Sequence, residues 1–308
     1  MGVLILDEGF MVSKKMRSLY FILLMTFCLQ DAMSANVDIG GGRHLYLKCA
    51  GSGTPTVILE SGFRNNSDVW TVSTDKKPSI FSSISAVTRV CVYDRPGTIG
   101  WTVNAKSRSD VIAMPRSINS MTEDLHALLK AGNIKGPYIL VGHSFGGILI
   151  RLYASKYPDE VIGMILIDAY PESLRSFLGK EKWDVTLKMM ETIPEGINDK
   201  SHFENIDFDQ ASTVMEETAS HSPLKSMPLI VISRGKAADL SVPESALSSN
   251  DFEKAWRLGQ QQLVSLEPDA THIIANKSQH YVQYAQPELI IQSIKKMIKQ
   301  VKTDSINH

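Results

Sequence analysis

The chain has little cysteine: three residues in 308. That is too few to staple a disulfide scaffold or to build a four-cysteine zinc site. Net charge is also nearly absent, since 32 Lys and Arg face 33 Asp and Glu. A balance so close to zero supplies no global field to draw in nucleic acid or an anionic membrane surface. Glycine (20) and proline (13) are too sparse for a collagen-like or low-complexity chain. A hydrophobic content of 43% is too high for a disordered one. What remains is a globular protein of one large domain or two ordinary ones, taking roughly 150 residues per domain as a guide.

Long hydrophobic runs are missing too, with one partial exception. Lys14, Lys15 and Arg17 lead into Leu19–Leu29, which carries no charge, and Gln30-Asp31-Ala32-Met33-Ser34-Ala35 follows. The run falls short of the about 20 apolar residues that span a bilayer. A basic lead, a short apolar stretch and a small-residue site have the pattern of a secretory signal peptide. Residues 1–35 are therefore expected to be a leader, with Met11 or Met16 as alternative starts and cleavage on either side of Ala35. The product would be secreted or periplasmic, without stable membrane insertion; an uncleaved anchor is the competing reading. Cys28 would leave with the leader, and Thr26-Phe27 before it lack the small residues of a lipid-attachment site. Cys49 and Cys91 each sit in an apolar, strand-like run. They could pair in an oxidising compartment. The preferred reading is two ordinary buried residues, because nothing in the sequence sets their separation.

From residue 36 onward, strands and helices alternate. Val37–Ile39 and Arg43–Cys49, joined by three glycines, are expected as a hairpin. Thr56–Glu60, Thr88–Tyr93, Pro137–Val141, Val161–Ile167, Leu229–Ser233 and His272–Ala275 are expected as further strands. Met121, Leu125, Leu128 and Leu129 form one stripe of a helix over Ser120–Ala131, with Gly132 as its stop. Gly146–Tyr157 and Pro287–Val301 are also expected as helices. Wholly apolar strands alternating with amphipathic helices imply an α/β fold: a mostly parallel sheet covered on both faces. Residues 170–227 interrupt the alternation with helix-prone pieces, Lys180–Glu191 and Gln210–Ala219. They are expected to form a helical cap over a core made of 36–169 and 228–308. No internal repeat is visible.

The sharpest motif is Gly142-His143-Ser144-Phe145-Gly146-Gly147, directly between an expected strand and an expected helix. A G-x-S-x-G in that setting is a nucleophile elbow. The serine occupies a tight turn, so the residues two before and two after it must lack side chains. The Phe145 amide, at the positive end of the helix, can donate to an oxyanion. A serine needs a base to act as a nucleophile. His280 fits, since it follows the last strand; His272 begins that strand, at the wrong end of the sheet. Two aspartates qualify as the acid that orients the base. Asp168, ending a strand, is preferred, and Asp239 is the alternative. The loop Glu60-Ser61-Gly62-Phe63 follows the first parallel strand, and the Phe63 amide is the expected second donor.

With these residues the sequence resembles the α/β-hydrolase superfamily over almost all of its length, from about Val37 to Val301. The resemblance rests on GHSFGG at 142–147, LESGF at 59–63, YDRPG at 93–97, LIDAYPES at 166–173 and the histidine within SQHYVQYAQPELI at 279–291. It is closer to bacterial, often exported, esterase-like members. The usual His-Gly before the hole is Ser61-Gly62 here, and the residue before the histidine, often Gly, is Gln279. Many members place the acid after the next-to-last strand, as Asp239 is; esterase-like members carry the aspartate of LIDAYPES. The acid is open between the two. The resemblance implies a serine hydrolase acting on a small carboxylic ester or related acyl compound, with no cofactor and no metal. Phe63, Phe145 and Trp183 point to a partly apolar substrate. A dehalogenase or epoxide hydrolase of this fold would carry aspartate at position 144. A cofactor-free perhydrolase, or a ligand-binding or signalling protein on the same scaffold, would share the motif.

Overall fold

Four strands bury every one of their residues: Thr56–Glu60, Val90–Tyr93, Tyr138–His143 and Leu229–Arg234. Aliphatic side chains on both faces can be hidden only in the middle of a sheet covered on both sides. The computed structural model describes residues 33–73, 78–100, 107–193, 195, 197, 201–238, 240, 243 and 246–304. Most of the expected leader (residues 1–32) and Asp239 lie outside the described residues.

The elements run β1 (Met33–Asp38), β2 (His44–Ala50), β3 (Thr56–Glu60), α1 (Asp68–Thr71), α2 (Ile80–Ser85), β4 (Val90–Tyr93), α3 (Ile118–Ala131), β5 (Tyr138–His143) and α4 (Phe145–Lys156). They continue with β6 (Val161–Ile167), α5 (Leu174–Leu178), α6 (Lys180–Glu191), α7 (Phe208–His221), β7 (Leu229–Arg234), α8 (Ser249–Val264), β8 (Thr271–Ala275), α9 (Val282–Ala285) and α10 (Pro287–Asp304). The strands form one sheet in the order β1-β2-β4-β3-β5-β6-β7-β8. The β1–β2 and β2–β4 pairs are antiparallel and the others parallel. From β3 the chain goes one way to β4 and then crosses to β5 on the other side. That reversal opens a crevice at the carboxyl ends of β3 and β5, the usual place for a ligand in an open α/β sheet.

Alternate side chains of each central strand feed two cores. Ile58, Leu140, Met164 and Val231 point into one. Val57, Leu59, Ile139, Val141, Ile165 and Ile232 point into the other. Helix α10 closes the second core with Ile290, Ile294, Met297, Ile298 and Val301, which recur at helical spacing along one stripe. Helix α3 starts where the Ser117 side chain accepts from the Ser120 amide, and it buries the expected stripe.

Three features differ from expectation. Strand β1 begins at Met33, so Met33, Ser34 and Ala35, which flank the expected cleavage points, are part of it. Cys49 and Cys91 are direct cross-strand partners and form a disulfide, with their Cα atoms 4.1 Å apart. Both point to the same core, so the preference for two ordinary buried thiols is corrected. Helix α8 was not expected at all. It buries Phe252, Ala255, Trp256, Gly259 and Leu263 on one face and is capped by Ser248.

Helices α5, α6 and α7 lie between β6 and β7. Tyr170, Leu174, Leu178, Trp183, Phe208, Ala211 and Met215 pack with Phe145, Ile148, Leu149 and Leu152 of α4 and with Phe252 and Trp256 of α8. This third core is where the inserted helices meet the end of the sheet. Among the described residues no helix is long and apolar enough to cross a membrane.

Candidate active site

Between β5 and α4 the backbone turns through Ser144 at φ 53° and ψ −125°. A non-glycine residue there stores on the order of 1–3 kcal/mol of strain. Three hydrogen bonds hold the turn: the Ser144 amide donates to Ile167 O, and the Gly147 and Tyr170 amides donate to Ser144 O. The glycines around it have no room for a side chain. A Cβ on Gly142 would fall 2.7 Å from Gly146 O, one on Gly146 2.6 Å from Ser61 O, and one on Gly147 2.4 Å from the Ala169 Cβ.

The turn aims Ser144 Oγ at His280 Nε2, 2.9 Å away. His280 lies in the turn between β8 and α9, and its Nδ1 is 2.6 Å from Asp168 Oδ2. A carboxylate only accepts, so Nδ1 carries the proton and the Nε2 lone pair faces the serine hydroxyl. Asp168 follows β6 at φ 39° and is fully buried. It also accepts from the Arg234 amide at 3.2 Å, Arg234 Nη1 at 2.8 Å and Trp256 Nε1 at 2.9 Å. Burial pushes its pKa up; the Arg234 charge, His280 and Trp256 outweigh that and hold it below the usual aspartate range. The structure therefore brings together Ser144, His280 and Asp168, while Asp239 lies outside the described residues. His272, the other late histidine, bonds Ser233 Oγ instead.

Both expected oxyanion donors border the serine. Phe145 opens α4. Gly62, before Phe63, is so close that a Cβ on it would lie 3.3 Å from the Ser144 Cβ and 3.0 Å from His143 Nδ1. Neither the Phe63 nor the Phe145 amide donates to a protein acceptor among the described residues. The two rings meet edge-on, with centroids 6.0 Å apart.

The family model for the alpha/beta hydrolase fold matches residues 55–200, which span the elbow, the Gly62 loop and Asp168. The same architecture is seen in alpha/beta hydrolase domain-containing protein 10 from mouse, with a TM-score of 0.58, 19% identity, and coverage of 88% of this chain and 100% of that one. The chain has the α/β-hydrolase fold. Its fold is also that of a thermophilic esterase from Thermogutta terrifontis, with a TM-score of 0.53 and 18% identity over 88% of this chain and 99% of that one. In sequence it is similar to the uncharacterized protein YqjL of Bacillus subtilis (strain 168), 26% identical over 245 residues, covering 78% of this chain and 82% of the relative.

In this α/β-hydrolase fold the site opens into a cavity of about 420 Å³. Its walls are mostly apolar: Phe63, Leu174, Met189, Met190, Phe208, Leu240, Phe252 and Trp256 surround Ser144 and His280. Phe145 lines it as expected from the sequence. Trp183 does not; it is buried in the third core, with its indole N–H donating to Asp209. Among the described residues no cluster of three or more His, Cys, Asp or Glu side chains is arranged to hold a metal ion.

Two supporting groups carry no motif of their own. His143, 1% exposed, donates from Nε2 to the His280 carbonyl at 2.9 Å, and its Nδ1 accepts from Gln283. Burial first, and then the neighbouring His280, lower its pKa to about 3, so it is neutral near neutral pH. Arg234 bridges Asp168 to Glu253 through Nη2 at 2.7 Å and lies over the Trp256 ring. The signal for His143 was its place inside the elbow motif; a single arginine at a strand end offers none.

Proposed function

We propose that the protein is an exported serine hydrolase, carboxylesterase-like, that cleaves a small ester with an apolar acyl or alcohol group. The observation that carries this reading is the continuous hydrogen-bonded chain from Ser144 through His280 to Asp168 at the wall of an apolar cavity. Ser144 Oγ attacks the ester carbonyl carbon as its proton passes to His280 Nε2. The carbonyl oxygen becomes an oxyanion between the Phe63 and Phe145 amides, donors fixed in the backbone that cost little reorganisation as the charge develops. Asp168 holds the imidazole in its tautomer and stabilises the imidazolium. The intermediate collapses, the alkoxide takes the proton from His280 and leaves, and an acyl-serine remains. Water, deprotonated by His280, then attacks the acyl carbon and releases the acid and Ser144. The cavity is of a size typical for small ligands, about 300–1,000 Å³. Its two flexible methionines adapt to acyl groups of different shape. Export is supported by the leader pattern and by the Cys49–Cys91 disulfide, which suits an oxidising compartment.

Labelling with a fluorophosphonate probe tests the reading. Wild type is expected to be labelled and Ser144→Ala not; if the two are equally unlabelled the serine is not activated, which overturns the reading and leaves a binding protein on a hydrolase scaffold. With p-nitrophenyl esters, Asp168→Asn is expected to lower kcat by about 10⁴-fold, the scale seen when a triad aspartate is lost. Asp239→Asn is expected to leave kcat unchanged, and the reverse pattern would move the acid to Asp239.

A further inference from the structure

Three charged side chains lie in the protein interior beside the Gly62–Phe63 loop. Arg95, 3% exposed, makes ion pairs with Glu60 and Glu204, which are both fully buried. The Tyr93 hydroxyl donates to Glu60 as well. Removing three charges from water is costly, and such a cluster contributes little net stability compared with well-packed apolar residues. Its contacts point to another purpose.

Arg95 spends its remaining donors on two carbonyls of the loop. Nη1 donates to Ser61 O at 2.9 Å and Nη2 to Gly62 O at 2.7 Å. The Gly62 carbonyl and the Phe63 N–H belong to one trans peptide plane and point in opposite directions. With the carbonyl held on Arg95, the N–H faces away from it, and it has no acceptor among the described residues. The next peptide is held as well, since the Arg64 amide donates to Glu204 Oε2. Arg64 sits at φ 63°, a left-handed conformation that a non-glycine residue adopts only when its surroundings impose it. Both peptides flanking Phe63 are thus fixed, one by Arg95 and one by Glu204.

Glu204 does not belong to the sheet. It lies between α6 and α7, in the inserted helical segment, 109 residues from Arg95. Two bonds from Arg95, Nε at 2.6 Å and Nη2 at 3.0 Å, hold the guanidinium plane on its carboxylate. A bidentate fork of this kind fixes orientation as well as position. The Arg64 side chain adds ties to the same segment, donating to Glu204 O and to the carbonyls of Glu191 and Thr192 at the end of α6.

We propose that Glu204, acting through Arg95 and the Arg64 amide, is a positioning residue that sets the Phe63 N–H as an oxyanion donor, so that the inserted helical segment is part of the catalytic apparatus. This inference rests on the serine-hydrolase reading above. Glu204 touches no reacting atom. When the segment is docked, the Gly62–Phe63 peptide has one orientation; when Glu204 is withdrawn, Arg95 keeps Glu60 but loses the partner that fixes its plane.

The test measures kcat and KM for p-nitrophenyl butyrate, and the affinity of an alkyl trifluoromethyl ketone, whose serine adduct places an oxyanion in the hole. Wild type, Ser144→Ala, Glu204→Gln and Glu204→Asp are compared, with thermal melts of each. Removing one hole donor lowers kcat by about 10²–10³-fold in a known case, and a misplaced donor should cost roughly 10- to 100-fold. Glu204→Gln is expected to show that fall in kcat, a parallel loss of ketone affinity, and a KM within about threefold of wild type. Glu204→Asp keeps a carboxylate and is expected to recover part of both; this variant decides the matter if Glu204→Gln does not fold. Wild-type kcat and ketone affinity in a folded Glu204→Gln, or a change confined to KM, overturns the inference and leaves the hydrolase reading standing. A Glu204→Asp variant no better than a folded Glu204→Gln also overturns it. A wild type no more active than Ser144→Ala overturns the hydrolase reading, and this inference with it.

Discussion

Replacing His143 by glutamine should change how stability depends on pH. The imidazole is buried and neutral, its Nε2–H held on the His280 carbonyl and its Nδ1 accepting from Gln283. Its pKa falls from the usual 6.5 to about 3 in the folded protein. Below the usual value the unfolded chain takes up a proton that the folded chain refuses. The unfolded state thus binds more protons across that window, and stability drops as the pH falls toward 3. Each unit of difference corresponds to about 1.4 kcal/mol, so wild type should lose about 2 kcal/mol through this one group between about pH 7 and pH 5. Glutamine does not titrate. Urea denaturation of both proteins at half-unit intervals isolates the effect, because every other carboxylate and histidine is common to both. At pH 7 His143→Gln should be the less stable, by roughly 1–3 kcal/mol for a disturbed buried hydrogen bond. By pH 5 the gap should have closed by about 2 kcal/mol. Parallel stability curves across this range would show that His143 is not held neutral by its burial, and the reasoning would fail.

Replacing both cysteines by alanine should weaken the fold. The disulfide closes a span of 42 residues, and the chain-entropy relation puts its loss at roughly 4 kcal/mol, measurable as a lower urea midpoint. A change under 1 kcal/mol would refute that estimate. Gly147→Ala places a methyl 2.4 Å from the Ala169 Cβ, so it should destabilise by about 1–3 kcal/mol and reduce activity by shifting Asp168, the next residue back. Wild-type melting and turnover would mean that the β6 end gives way freely.

The parts of this molecule legible in the sequence are those set by local pattern. Short apolar stretches rich in β-branched residues and bounded by turns, such as Val161–Ile167, read as central strands. The glycines of the elbow announce a turn with no room for side chains, and a histidine after the last strand is one of few that could reach it. The choice between Asp168 and Asp239 was not of that kind. Each follows a strand, and only the placement of β6 directly beside β5, with His143 opposite Ile167, puts Asp168 near the serine. Helix α8 has no clear apolar stripe in the sequence because its inward face carries Glu253 and Gln260, polar residues that bond Arg234 and the Ala169 carbonyl. The Ser248–Asp251 cap was the available signal. Cys49 and Cys91 face each other because of cross-strand register, and Arg95 meets Glu204 through tertiary contact across 109 positions. Neither leaves a trace in the neighbouring residues.

Asp168 at the end of β6 has a consequence for how such a protein can diversify. With Asp168 as the acid, the segment joining β7 to α8 has no catalytic side chain to supply, yet Ala238 and Leu240 within it line the cavity. The side chains at positions 238 and 240 can therefore be exchanged in the laboratory, while the backbone before them, whose Lys236 amide and Ala237 carbonyl bond Ser278 and Gln279 beside His280, is kept. A library confined to those two side chains would vary the cavity wall while leaving the serine, the base and the carboxylate in place.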